Sequence, residues 1–306
     1  MEPDELRELW WAAGGEADSP SRGAGLLGLH VVDDPVALAG MALAVLGLPL
    51  DGAGADPGGI RRASQRYAEW LPTLSGGFRA ADYGDVEVVR DDPAVAFMQA
   101  HERLADIVAA GAAPLVLGGE ALVSVPVLQV LSGKLRGRLG VVAFTPAYDI
   151  APEPLYAPSS RWARALELGV VSPANLALVG GRAAPPDGSA RRVLDGLGAT
   201  TFSLEDVLRD GMATVAQEAL ETAAAGTEAV YLSVDLGVVA GIGDPVGLQA
   251  RELAAGVAVV STALLAAADV CGPGPSAGSA VTQGHSAAAG ARIAAEIIAG
   301  IARRLS

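Results

Sequence analysis

Cysteine is nearly missing from this chain of 306 residues, with Cys271 the only one. An internal disulfide is therefore excluded, and so is a zinc site built on a cysteine cluster. Histidine is almost as scarce, at three residues: His30, His101 and His285. Imidazole is the commonest metal ligand and the usual proton shuttle near neutral pH, so this scarcity limits every metal-centred or acid–base hypothesis. Aromatic residues make up 4%, too few for the stacking platforms that hold single-stranded nucleic acid. Positive charge is short as well: 21 Lys and Arg stand against 35 Asp and Glu, a formal net charge of −14. A phosphate backbone needs a basic face, so no nucleic-acid partner is expected. The longest uncharged apolar run, about Leu253–Ala268, falls short of the roughly 20 residues of a membrane span and reads as a buried helix. The first residues, Met1–Trp11, carry Glu2, Asp4, Glu5 and Glu8 instead of the basic-then-apolar pattern of a signal peptide. The expected location is the cytoplasm, with no membrane partner.

What is abundant is apolar. Hydrophobic residues make up 51% and charged residues 18%, which allows a large core and excludes disorder as the main state. Short β-like runs alternate with longer Ala- and Leu-rich segments. Strands are expected at Ala42–Leu48, Val86–Val89, Leu115–Leu117, Gly140–Phe144, Leu176–Val179, Ala199–Phe202, Ala229–Val234 and Ala267–Cys271. Helices are expected at Pro93–Ala110, Val123–Ser132, Ser160–Leu168, Leu204–Ala225, Leu248–Leu265 and His285–Arg304. Strands without polar alternation, separated by helices, indicate a parallel sheet covered on both faces. The fold class is α/β, a single three-layer domain with a central parallel sheet of about eight strands. Sites are then expected at the carboxyl ends of the strands. Residues 1–35 read as an acidic N-terminal arm and 36–306 as the α/β domain. Gly111 is placed to cap the Pro93–Ala110 helix, and Ser203 with Asp206 to cap the helix at Leu204. Asp51–Gly59 and Ala183–Ser189 read as loops from their Gly and Pro content, and Arg182–Arg192 as a surface excursion.

Three strand ends carry the candidate chemistry. Leu115–Leu117 runs into Gly118-Gly119-Glu120-Ala121, Val141–Phe144 into Thr145-Pro146-Ala147-Tyr148-Asp149, and Val230–Val234 into Asp235-Leu236-Gly237. A buried strand that ends on a carboxylate needs a hydrogen bond, a metal or an opposite charge to offset desolvation. Asp149 and Asp235 are therefore pocket candidates, with loop capping or pairing to an arginine as the competing explanation. A dinucleotide-binding fold is the alternative architecture, suggested by Gly52-Ala53-Gly54. The spacing of its glycines is wrong, and Pro57 sits where the phosphate-binding helix would start.

In these segments the chain resembles the ureohydrolase (arginase/agmatinase) superfamily, over most of its length. Ala44–Asp51 followed by Gly58–Ser64 is similar to the family opening GxPxD…GPxxIRxAS, and Asp82–Val86 to DxGDV. Leu117–Glu120 with Val123–Leu131 looks like GGDHSVTxPVL, and Gly140–Asp149 like GVVHFDAHxD. Arg164–Gly169 with Asn175–Arg182 resembles RALELG…NLVxIGxR, and Tyr231–Gly237 resembles YVSxDxDxxDP. The resemblance implies an arginase-like fold and, in active members, two manganese ions held by three histidine- and aspartate-bearing motifs. Carried over position by position, the ligands fall on Ala121, Thr145, Ala147, Asp149, Asp235 and Gly237. Only Asp149 and Asp235 keep a carboxylate. The loop with the family's acid–base histidine falls on Pro158–Trp162, which has none, and the Glu that grips a guanidinium falls near Val270, with Asp269 one position off.

Two carboxylates cannot hold two ions tightly against water, so the expectation is a protein without a bound manganese pair or any other cofactor. The leading expectation is a degenerate, pseudo-agmatinase member that acts by binding a partner or a small ligand. The resemblance implies a trimer or hexamer, or a mixed oligomer with an active paralogue. An alternative is a metal-independent enzyme, such as one of specialised metabolism, that uses Asp149 and Asp235 as vestigial catalytic groups and Glu120, Thr145, Tyr148 and Asp269 as cleft or ligand-binding groups. A carboxylate pair can do acid–base work if burial separates the two pKa values. A further alternative is a residual amidinohydrolase for an agmatine- or guanidino-type substrate. The three histidines are expected on the surface or as caps, with His285 in a loop.

Overall fold

The computed structural model describes residues 24–50, 56–73, 77–87, 93–152, 157–181, 188–272 and 280–305. Eight strands form one sheet in the order β2-β1-β3-β8-β7-β4-β5-β6. They are β1 Leu43–Leu48, β2 Ala80–Asp85, β3 Ala113–Gly118, β4 Leu139–Phe144, β5 Val171–Gly181, β6 Thr200–Ser203, β7 Ala229–Asp235 and β8 Leu265–Cys271. Every neighbouring pair is parallel, so the carboxyl ends of all strands share one edge. Helices cover both faces, as the expected three-layer α/β class requires.

Strand alternation sorts the side chains to two cores. Val45, Leu115, Val142, Phe144, Leu232, Val234 and Val270 face one side. There they pack among helices α1 Pro57–Ser64, α7 Met212–Ala224, α8 Ala250–Val260 and α9 Ala280–Leu305. Leu46, Val116, Val141, Ala143, Tyr231, Ala267 and Cys271 face the other side, where α2 Pro93–Ala109, α3 Ser124–Leu135 and α4 Arg161–Glu167 lie. The sheet is covered on both faces, which is why its central strands read as continuous apolar runs rather than as alternating ones.

Several expected elements shift. The strand expected at Val86–Val89 lies upstream, as β2: Val86 and Glu87 follow it, and residues 88–89 lie outside the described residues. The helix expected over Leu204–Ala225 is two helices, α6 Leu204–Asp210 and α7, because Gly211 (φ 84°) turns the chain between them. The apolar run Leu253–Ala268 is the end of α8, a turn and the start of β8, not one helix. Of the expected Asp51–Gly59 loop, residues 51–55 lie outside the described residues, and Asp56, whose carboxylate accepts from Gly58 and Gly59 N–H groups, caps α1. Pro57 does begin a helix, because its missing N–H would be unsatisfied at that position in any case. Gly188–Leu197 forms helix α5, with Leu194 buried, where part of a surface excursion was expected. Gly111 caps α2 at φ 82° and Ser203–Asp206 forms a capping box, both as expected.

Leu26 and Leu27 are buried in the first core, so part of the segment read as an arm packs on the domain. Arg61 of α1 fastens it. Its Nε and Nη2 lie 2.8 Å from the two oxygens of fully buried Asp82, whose Oδ2 also accepts from Leu26 N–H at 2.8 Å. Arg62 instead reaches Asp56 at 3.3 Å with both side chains more than 60% exposed. Removing one partner of a buried pair leaves an uncompensated charge, whereas an exposed pair contributes little. Arg61→Ala is expected to cost about 3 kcal/mol and Arg62→Ala less than about 1 kcal/mol. Urea unfolding midpoints at constant slope check this, and equal losses would contradict it.

Candidate functional site

The middle of the sheet supplies the site. Strands β3, β8, β7 and β4 are consecutive neighbours, and their carboxyl ends bring Gly118–Ala121, Cys271, Asp235 and Thr145–Asp149 to one edge. Register sets the rows. Asp235 pairs with Cys271 and Ser233 with Asp269, while Phe144 pairs with Val234. Thr145, Asp235 and Cys271 therefore form an outer row on the second face, and Ala143, Ser233 and Asp269 the row beneath. Close backbone approach fixes the glycine turn: a Cβ on Gly119 would collide with the Leu50 carbonyl, and Gly272 N–H donates to Gly119 O at 2.8 Å.

Arg161 occupies the outer row. It opens α4, is fully buried, and directs its guanidinium at the strand ends. Nε lies 2.9 Å from Asp149 Oδ2, Nη2 donates to Thr145 Oγ1 at 2.7 Å, and Nη2 stands 4.0 Å from Asp235 Oδ2. Its Cζ is 4.7 Å from the Trp162 ring centroid; neither Nε, whose contact with Asp149 is an ion pair, nor Nη1 has a hydrogen-bond acceptor among the described residues. The Thr145 hydroxyl donates its own proton to Ala147 O at 2.7 Å. Asp149 adopts the left-handed conformation, φ 40°, and its carbonyl accepts from Trp162 N–H at 3.1 Å. Backbone and carboxylate of Asp149 thus both grip the start of α4. Such a conformation at a non-glycine residue costs energy that the surrounding contacts must offset.

The candidate residues divide. Asp149, Asp235 and Thr145 converge on Arg161. Asp235 Oδ1 also accepts from Gly237 N–H at 2.8 Å, the loop-capping role that its sequence position allows. Asp269 is deeper and fully buried, accepting from Ser124 Oγ at 3.1 Å, Ser233 Oγ at 3.2 Å and the Tyr231 hydroxyl. Val270 belongs to the opposite core, so the position expected for a guanidinium-binding Glu faces away from Arg161. Tyr148 is fully buried, and a Cβ on Gly181 would lie 2.5 Å from its ring. Glu120 is partly exposed at the glycine turn. Ala121 is buried and Ala147 half-buried, and a Cβ on Gly237 would stand 3.0 Å from Asp235 Oδ1. His30, His101 and His285 are all exposed, and His285 lies within α9 rather than in the expected loop. Among the described residues, no group of three or more His, Cys, Asp and Glu is arranged to hold a metal ion.

Electrostatics follows burial. Burial alone would lower the Arg161 pKa, but Asp149, then Cys271, Asp235 and Asp269, more than reverse this, and the guanidinium stays charged. Burial raises Asp235 against the opposing pull of Arg161 and Gly237 N–H, and it raises Asp269 against its hydroxyl donors and Arg161. Burial, with Asp235 and Asp269 nearby, pushes the Cys271 thiol well up. Sequence reasoning places a segment, Pro158–Trp162, at this site but does not single out Arg161. The available signal is charge balance: two strand-end carboxylates with no histidine beside them require a cation, and Arg161 is the cation of that segment.

A parallel eight-stranded sheet in three layers, with a polar cluster at the carboxyl edge of its central strands, defines the arginase-like class of α/β proteins. The profile of the Arginase family matches residues 34–300, and the chain belongs to that family. An arginase of Brevibacillus brevis is 29% identical over 266 residues, covering 74% of this chain and 87% of the relative. Among solved structures, a hypothetical agmatinase of Burkholderia thailandensis superposes with a TM-score of 0.78 at 23% identity, covering 92% of this chain and 91% of that one. A formimidoylglutamase of Bacillus subtilis gives 0.78 at 17% identity, with 96% and 98% covered. Proclavaminate amidino hydrolase of Streptomyces clavuligerus gives 0.75 at 22%, with 92% and 97% covered. The structural likenesses establish the fold.

A raised carboxyl pKa has a defined sign. Between the unfolded value, about 3.9, and the raised folded value of Asp269, the native state holds a proton that the unfolded chain has released. The stability this contributes is complete below the unfolded value and is lost as pH rises through the folded one. In Asp269→Asn that contribution is removed. The Tm difference, variant minus wild type, is expected to become more positive as pH rises from that value. A difference independent of pH would contradict the assignment.

Proposed function

We propose that this arginase-family chain is a catalytically degenerate ureohydrolase relative that does not use a dinuclear manganese centre and acts by binding a ligand or partner. One observation carries the reading: the Arg161 guanidinium lies between Asp149 and Asp235, at 2.9 and 4.0 Å. The residues present do not fit two manganese ions. Of the six positions that the family resemblance assigns to ligands, Ala121, Ala147 and Gly237 offer no side-chain oxygen or nitrogen. Thr145 is engaged by Arg161 and Ala147 O, and the two carboxylates already face a cation. Hydrolysis of an amidine or guanidine by a metal pair relies on ions that acidify and orient a water, and this donor set is too poor to hold such a pair.

The chemistry of the remaining groups supports binding over turnover. Asp149 is held by the start of α4, and Tyr148 is buried against Gly181. Neither is placed as an exposed acid or base. The chain's service is then that of a folded scaffold, assembled with itself or with a catalytically intact paralogue in the cytoplasm.

Two measurements on one sample test the reading. Protein produced in manganese-supplemented medium is expected to carry far less than one equivalent of metal. It is expected to release no urea from arginine, agmatine or guanidinobutyrate. Stoichiometric manganese together with turnover would overturn it.

A further inference from the structure

We infer that Arg161 is the resident cation of the cleft, a guanidinium tethered to α4 that supplies the positive charge the strand-end carboxylates require. This rests on the proposed reading that no manganese pair is bound there. Three independent features of the chain point to it.

The first is position. The guanidinium contacts Thr145 and Asp149 after β4 and stands 4.0 Å from Asp235 at the end of the neighbouring strand β7. A side chain that only filled space would not need a charged head fully buried beside three carboxylates, Asp269 included. Burying a guanidinium is costly unless it is paired, and here Asp149 and Asp235 stand 2.9 and 4.0 Å from it.

The second is preorganisation. α4 begins at Arg161, and Trp162 N–H donates to the Asp149 carbonyl at 3.1 Å. The helix start, the left-handed Asp149 (φ 40°) and the Trp162 ring, 4.7 Å from the guanidinium, fix the cation relative to the sheet. A tethered cation of this kind is present at every metal concentration.

The third is the small size of the surrounding positions. Ala147, whose carbonyl accepts from the Thr145 hydroxyl, presents only a methyl group, and a Cβ added at Gly237 would stand 3.0 Å from Asp235 Oδ1. A bulkier residue at 237 would press on the carboxylate that faces Arg161. The cluster is thus built around a guanidinium, with Thr145 supplying a hydroxyl acceptor to Nη2.

Shortening Arg161 should therefore leave a guanidinium-sized hole between two carboxylates, and that hole should bind a free cation of the same shape. The test is thermal unfolding of full-length wild type, Arg161→Ala and Arg161→Lys. Each is measured with millimolar methylguanidinium, tetramethylammonium or manganese chloride at matched ionic strength. Arg161→Ala is expected to lower Tm by on the order of 5–15 °C. Methylguanidinium should restore part of that loss, tetramethylammonium should not, and wild type should respond to none of the three salts. Arg161→Lys should fall between, because an ammonium keeps the charge but loses the planar fork. A variant as stable as wild type, or an equal methylguanidinium response in both proteins, would overturn the inference.

Should Arg161→Ala fail to fold, the Asp149→Asn/Arg161→Ala double variant decides: recovery of folded protein supports the pairing, and no recovery overturns it. The two failures separate cleanly. Manganese with urea release in wild type contradicts the functional reading, whereas metal-free wild type with an inert Arg161→Ala contradicts only this inference.

Discussion

A guanidinium with no solvent exposure must be balanced by charge and hydrogen bonds from its surroundings, and the carboxyl edge of this sheet is arranged around that requirement. Arg161 reaches Asp149, Thr145 and Asp235 from the start of a helix that would otherwise simply cover the sheet. Asp149 takes a left-handed backbone to meet it. Asp235 is held also by Gly237 N–H and caps the turn that follows β7. Burial penalises the charge on Arg161 and on Asp235, so removing one partner alone leaves the other charge uncompensated.

The apolar sheet makes this possible without contributing chemistry itself. Both faces of the central strands are buried, and their alternation places every polar strand-end residue on the face shared with α3 and α4. Beneath the Arg161 row, Asp269 gathers three hydroxyls from Ser124, Tyr231 and Ser233. The lower row ties the start of α3 to β7 and β8, and the upper row ties α4 to β4 and β7. The strands bring four chain segments together, and the two polar rows set how the covering helices sit on them. At the far edge Arg61 and Asp82 do the same for the N-terminal segment around Leu26.

Most of the sheet is legible in the sequence because buried parallel strands read as short, continuous apolar runs. β2 is not: Ala80–Asp85 is polar, sits at the edge and draws its order from pairing with β1 and from Arg61. α1 is hidden by two glycines and a proline, though Asp56 before Pro57 is a start signal with a physical basis. The break at Gly211 is hidden by an otherwise unbroken helical composition. At the site, the strand-end carboxylates stand out because an acid after an apolar run demands a partner. The partner does not, because Arg161 approaches from a helix some distance along the chain, and no local spacing rule connects it with Asp149 and Asp235. Its identity follows from three-dimensional charge balance, which a linear reading expresses only as a missing counterion.

The central claim is that a side-chain cation, and not a metal pair, stands between Asp149 and Asp235. A crystal structure of protein grown and crystallised with manganese, with anomalous scattering recorded at the manganese edge, tests it most directly. The expected result is continuous density for the Arg161 guanidinium within hydrogen-bonding distance of Asp149 and no anomalous peak at the strand ends. An anomalous peak coordinated by Asp149 and Asp235, with Arg161 displaced from the row, would contradict it.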